Sequence, residues 1–103
     1  MNYRKKVDAN QASIVAALRK IRALVHSTAS LGEGFPDLVV AHGGRVWLLE
    51  VKDGSKPASA QKLTEAEQEF HERWAGYVHV VNTPEAALKL LLSNKDKTGQ
   101  KIK

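Results

Sequence analysis

The sequence has no cysteine, one methionine and only three prolines. Without cysteine there are no disulfides and no thiolate metal sites, so nothing ties the chain to an oxidising compartment. A long apolar run is also missing. The hydrophobic stretches are a few residues each, far short of the roughly 20 that a membrane-spanning helix needs. The N-terminal MNYRKKVDANQ starts basic but has no apolar segment behind it, so it does not read as a secretory signal. No membrane association is expected, and a cytoplasmic location is the default. Aromatic residues are scarce at 6%, yet 43% hydrophobic and 26% charged residues suit a globular chain rather than a disordered or fibrous one. There is no glycine-rich P-loop, no G-x-S-x-G, and no H-E-x-x-H spacing among the four histidines.

What is present fits one small domain. In 103 residues there is no room for a second core. We expect a single domain over residues 1–92 and a basic, disordered tail over 93–103. The net charge is +5, and its distribution matters more than its size. Arg4, Lys5 and Lys6 make the N-terminus basic, and residues 93–103 hold four lysines against one aspartate. The region between is close to neutral. Cationic ends attract phosphate and release counterions, which points to nucleic acid. Solvated charged ends with no partner are the plainer alternative.

Asp8 is a suitable N-cap for a first helix from about Ala9 to Val25, with Ile14, Leu18, Ile21 and Val25 as its buried stripe. A short strand near His26 and a loop containing Gly32, Gly34 and Pro36 come next. The best strands are Asp37–Ala41 (DLVVA) and Arg45–Lys52 (RVWLLEVK), with Gly43-Gly44 as a tight hairpin turn between them. Thr64 and Glu67 form a capping box for a second helix ending at Gly76, with Leu63, Ala66, Phe70 and Trp74 on its apolar face. Tyr77–Val81 reads as another strand. Thr83 and Pro84 start a third helix that reaches about Leu92. The result is an α/β order with strands both before and after the second helix.

The hairpin carries the chemistry. With Gly43 and Gly44 as turn residues, His42 faces Arg45, Ala41 faces Val46, and Asp37 faces Glu50. Opposed residues share a face with Cβ atoms about 5 Å apart. Lys52 is two residues beyond Glu50 and points to that face. Two carboxylates and an ammonium therefore meet at the open end of the hairpin. Facing carboxylates repel, and a divalent cation would relieve them. Magnesium prefers oxygen and is usually held by one or two carboxylates. The Val51 carbonyl is a candidate third oxygen. Lys52 beside the cation would hold an attacking water or offset charge on a transition state. A solvated surface pair of Glu50 and Lys52 remains the alternative at this point.

GFPDLVV followed by WLLEVKDG resembles the PD-(D/E)XK nuclease superfamily. Pro36-Asp37 and Glu50-Val51-Lys52 match its signature. The compact size, with KLTEAEQEFHERW and VHVVNTPEAALKLL further on, looks like the stand-alone VRR-type (VRR-NUC) nucleases of phages and bacteria. The similarity runs from about Asp8 to Leu92. It implies a restriction-endonuclease-like fold, an αβββαβ core in which a small mixed sheet is flanked by helices, with a C-terminal helix. It also implies Mg- or Mn-dependent cleavage of duplex or branched DNA such as Holliday junctions, often by a homodimer, inside a bacterium or a phage-infected cell.

On that resemblance Asp37, Glu50 and Lys52 would be catalytic, and Asp37, Glu50 and the Val51 carbonyl would bind the metal. Relatives often carry an acid on the first helix, where this chain offers Asn10, Gln11 and, slightly earlier, Asp8. They also often carry a glutamine on the helix after the lysine strand, where Gln68 is nearest in type and Glu67 is the other occupant. Lys5, Lys6, Lys56 and Lys62, with Ser55 and Ser59 in the loop, are candidates for phosphate contacts. Glu33 is a candidate extra ligand, and the glycines beside it would let DNA approach the metal. Trp47 and Trp74 are expected in the core, and His71 and His79 are expected to be structural or at the surface. The leucines of the third helix, Leu88, Leu91 and Leu92, or the strand beside it, are nominated for the dimer interface. Two other readings stay open. One is a non-catalytic nucleic-acid-binding module on the same fold, motivated by the missing first-helix acid. The other is an accessory or structural subunit of a phage assembly.

Overall fold

A computed structural model gives the architecture and describes residues 10–93. Asp8, Lys5, Lys6 and the tail from residue 94 lie outside the described residues. The chain runs α1 (Gln11–Lys20), β1 (Leu24–Ser27), β2 (Leu38–His42), β3 (Arg45–Val51), α2 (Glu65–Arg73), β4 (Val78–Val81) and α3 (Pro84–Leu91). Short 3-10 turns at Ala29–Leu31 and Ala58–Gln61 interrupt the two longer connections. The four strands form one sheet in the order β1-β2-β3-β4. The first three are antiparallel, and β4 lies parallel to β3. Parallel pairing needs a crossover, which the segment containing α2 supplies. This is the expected small mixed sheet with flanking helices. None of the described helices is long and apolar enough to cross a membrane.

The hairpin forms in the expected register. Gly43 and Gly44 both have positive φ, at 58° and 78°, as a two-residue type I′ turn requires. His42 pairs with Arg45, and Leu38 pairs with Leu49. That register separates two faces. Leu38 and Val40 join Trp47, Leu49, Val51 and Val81 on one side, where Ile14 and Leu18 of α1 and Ala87 and Leu91 of α3 close the core. Each large side chain buried there contributes about 1.5–3 kcal/mol. Leu88 also packs against this core, so α3 uses Leu88 and Leu91 internally. Of the three leucines nominated for an interface, only Leu92 is exposed.

α1 is shorter than its apolar periodicity suggests. Asn10, not Asp8, is its N-cap, and its last residue is Lys20. The Ala23 N–H reaches Leu18 O and the Arg22 N–H reaches Arg19 O, a Schellman ending. Arg22 takes the left-handed conformation at φ 66°, where glycine is usual. Val25 therefore leaves the helix and enters β1.

α2 has the expected capping box, with Thr64 Oγ1 accepting from Glu67 N and Glu67 Oε1 accepting from Thr64 N. Its apolar face does not seat on the sheet as expected. Glu67 is its buried residue, whereas Trp74 is 45% exposed. Phe70 instead stacks on Trp74 at 5.2 Å and meets Phe35 edge-on at 5.3 Å. The rings satisfy one another along the helix, so they need no cover from the sheet.

Gly34 sets how closely α2 approaches the loop before Asp37. A Cβ there would lie 2.3 Å from Ala66 O and 2.9 Å from Glu67 N, and φ is +81°. This glycine serves helix packing rather than the approach of DNA. We expect Gly34→Ala to destabilise the fold by about 2 kcal/mol or more beyond Gly44→Ala, which has positive φ but open space around it. Urea unfolding of both variants checks this. Equal losses would show that the contact with α2 is unimportant.

Candidate active site

Asp37 follows Pro36 and is buried at the start of β2. Its Oδ2 accepts a 2.8 Å hydrogen bond from Val51 N, which ties it to the end of β3. Glu50 is on β3 and is 0% exposed. Lys52 follows β3, is also buried, and turns its ammonium toward two carboxylates. Its Nζ is 2.9 Å from Glu67 Oε1 and 3.8 Å from Glu50 Oε2. Asp37, Glu50 and Lys52 are thus brought together, as the hairpin register implies. Two buried carboxylates, Glu50 and Glu67, meet the buried ammonium, and the buried Asp37 adjoins them through Val51. Burying charge is costly unless it is paired and hydrogen-bonded.

The first turn of α1 reaches the same region. Asn10 Nδ2 donates to Lys52 O at 2.8 Å and to Asn82 O at 3.0 Å, which pins the helix start to the ends of β3 and β4. The tie uses the Asn10 amide nitrogen, its Oδ1 is buried without a hydrogen-bond partner, and its side chain makes no capping bond. Gln11 is next and only 8% exposed, and its Oε1 has no hydrogen-bond partner. A buried acceptor left unmade costs about 1–3 kcal/mol. The donor set is therefore two carboxylates with an orphaned amide oxygen on the adjoining helix. Such hard oxygens suit a divalent cation of the magnesium type. Among the described residues there is no cluster of three or more His, Asp or Glu side chains able to hold a metal.

Other candidates fall elsewhere. Val51 gives its N–H to Asp37. Gln68 is exposed, and its neighbour Glu67 is the α2 residue that reaches Lys52. The capping box signals this, because it turns the N3 side chain back toward the helix start; the partner on β3 is visible only once the chain is folded. Lys56, Lys62 and Glu33 are exposed, with Glu33 at positive φ. The loop after Lys52 is organised by Asp53, whose Oδ1 accepts from both the N–H and the hydroxyl of Ser55. Those two bonds hold the Asp53 carboxyl below its ordinary pKa. Gly54 donates to Asn82 O, and a Cβ at Gly54 would lie 2.7 Å from that oxygen. His79 is partly buried on β4, and burial, with the charge of Arg45, lowers its pKa. It stays neutral near pH 7, consistent with a structural role. Trp47 is buried as expected, with the Arg45 guanidinium 4.7 Å from its ring centre.

No family model matches the sequence, and no curated protein does. A solved structure described as a VRR_NUC domain is similar to it, with 27% identity and a TM-score of 0.52. The similarity covers 81% of this chain and 95% of that one. The two chains are thus alike over most of their lengths. The chain has a VRR-NUC nuclease-type fold.

Proposed function

We propose that this chain is a metal-dependent endonuclease that hydrolyses phosphodiester bonds in duplex or branched DNA. The observation that carries the reading is the buried meeting of Asp37, Glu50 and Lys52 at the open end of the hairpin. Asp37 and Glu50 would hold a magnesium or manganese ion through carboxylate oxygens, and Gln11 Oε1 and the Val51 carbonyl are neutral oxygens available to it. When bound, the ion supplies positive charge against the phosphate and makes a nearby water more acidic. Val51 N fixes the Asp37 carboxylate, so its orientation needs no reorganisation on binding. The Lys52 ammonium stabilises charge that develops on the reacting phosphate. Lys56 and Lys62, exposed beyond Lys52, attract the DNA backbone, and Lys5 and Lys6 are assigned the same task.

A second reading has its own support. Gln11 is neutral where relatives often carry an acid, and the described residues hold no three-acid cluster. A binding module that does not cut would show DNA affinity with no cleavage in either metal.

The decisive comparison uses plasmid and four-way junction DNA with magnesium, with manganese and with chelator. Cleavage is expected with metal and none with chelator. Asp37→Asn should remove it. Lys52→Ala should lower the rate by about 10²-fold or more, on the scale of losing one transition-state donor, while DNA affinity stays within about twofold. An equal fall in affinity would mean that Lys52 only binds.

We also propose that the working form is a homodimer joined through the sheet face opposite the core. Cutting two strands of opposite polarity calls for two sites related by a twofold axis. On that face Leu24 is 74% and Val46 67% exposed, with Val80 also exposed. Beyond Glu50, strands β1–β4 present Val39, Ala41, Leu48 and Val78 there, and His26 is the one titratable side chain. Away from the end that holds Asp37, Glu50 and Lys52, this face is apolar, and on a basic chain it can meet its own copy without charge repulsion. Light scattering at micromolar concentration should give twice the chain mass, and Val46→Glu should return it to the monomer. A wild-type monomer, or a Val46→Glu dimer, would exclude this interface.

A further inference from the structure

We infer that Glu67 is a positioning residue that holds the Lys52 ammonium off Glu50 and so keeps Glu50 available to a cation. This rests on the reading of Asp37 and Glu50 as cation ligands. Lys52 has two carboxylates in reach, and it sits 2.9 Å from Glu67 but 3.8 Å from Glu50. The shorter distance is a charge-assisted hydrogen bond; the longer is only an ion pair at the edge of contact.

Glu67 is well fixed for this purpose. Its Oε1 also accepts from Thr64 N at 2.9 Å, and its own N–H donates to Thr64 Oγ1. The backbone of Ala66 and Glu67 is pressed against Gly34, three residues before Asp37. The carboxylate therefore cannot follow the lysine; the lysine must come to it. On an ordinary helix the capping role needs only an acceptor at this position, and glutamine would serve. A full negative charge, buried to 2% exposure, is more than the cap needs. Lys52 is a partner that uses that charge.

Without the Glu67 charge, the nearest carboxylate for Lys52 is Glu50. An ammonium paired there competes directly with a divalent ion for the same oxygens. Glu67→Gln keeps an acceptor for Thr64 N and removes only the charge. It should weaken Mn²⁺ binding, read by calorimetry, by about fivefold or more, ~1 kcal/mol at 25 °C. Glu67 is, however, an anion near the site, so its loss would weaken cation binding somewhat through charge alone. The Lys52→Gln background separates the two effects. If Glu67 acts by holding Lys52, adding Glu67→Gln to Lys52→Gln should change the Mn²⁺ dissociation constant less than twofold.

Thermal unfolding establishes that each variant is folded. Should Glu67→Gln not fold, Glu67→Asp keeps the charge but withdraws it by one methylene, and it should weaken Mn²⁺ binding in the same Lys52-dependent way. Equal weakening in both backgrounds would reduce Glu67 to a distant charge or a structural prop. Unchanged Mn²⁺ affinity when Glu67→Gln is made in the chain that keeps Lys52 would overturn the inference outright. A wild-type chain that binds no Mn²⁺ would remove the cation site itself, and the inference with it.

Discussion

A buried ammonium meets two buried carboxylates, Glu67 and Glu50, inside the protein, and much of the local architecture follows from where Lys52 must be. Burial of Asp37, Glu50 and Glu67 disfavours their charges unless something opposes them. The backbone provides part of the answer through Val51 N, and Lys52 provides most of the rest. The ammonium reaches Glu67 only because α2 starts close to the loop before Asp37, and that closeness depends on a residue without a side chain at Gly34. Gly54 has the same relation to Asn82 on the far side of Lys52. Asn10 then ties the start of α1 to the Lys52 carbonyl. Three elements distant in sequence are fastened around one lysine.

The two faces of the sheet divide the work. The face under α1 and α3 is closed by Leu38, Val40, Trp47, Leu49 and Val51 and gives the domain its stability. The other face carries Glu50, and Asp37 and Lys52 adjoin it at one end, with exposed aliphatic residues over much of its remainder. The alternation of β3 makes this possible. RVWLLEVK sends Trp47, Leu49 and Val51 inward to the core, and sends Val46, Leu48 and Glu50 to the opposite side. One strand thus anchors the hydrophobic core and aims the acid, and a slip of one residue would exchange the two sets.

Much of this was legible in the sequence because it rests on local rules. Gly43-Gly44 sets the hairpin register, and that register alone brings Asp37 to Glu50. Thr64 with Glu67 and Thr83 with Pro84 mark two helix starts correctly. What escaped depends on contacts between distant residues. No glycine marks the end of α1, because Arg22 accepts the left-handed turn itself, and so the periodicity carried the helix too far. Gln68 resembles the residue type sought, but its neighbour Glu67 faces the lysine, and helix phase relative to β3 is a tertiary property. Trp74 has the spacing of a buried stripe, yet it stacks on Phe70 and stays exposed. Leu88 and Leu91 looked surplus to a small core, and the core takes both.

The account depends most on the claim that Asp37, Glu50 and the Gln11 amide oxygen form one cation site. A crystal grown with manganese tests it without reference to activity, because anomalous scattering locates the ion independently of the protein model. A single strong peak coordinated by Asp37 and Glu50 oxygens, with Gln11 Oε1 directed at the ion or at its water, is the predicted result. No peak at millimolar manganese, or a peak away from both carboxylates, would contradict it.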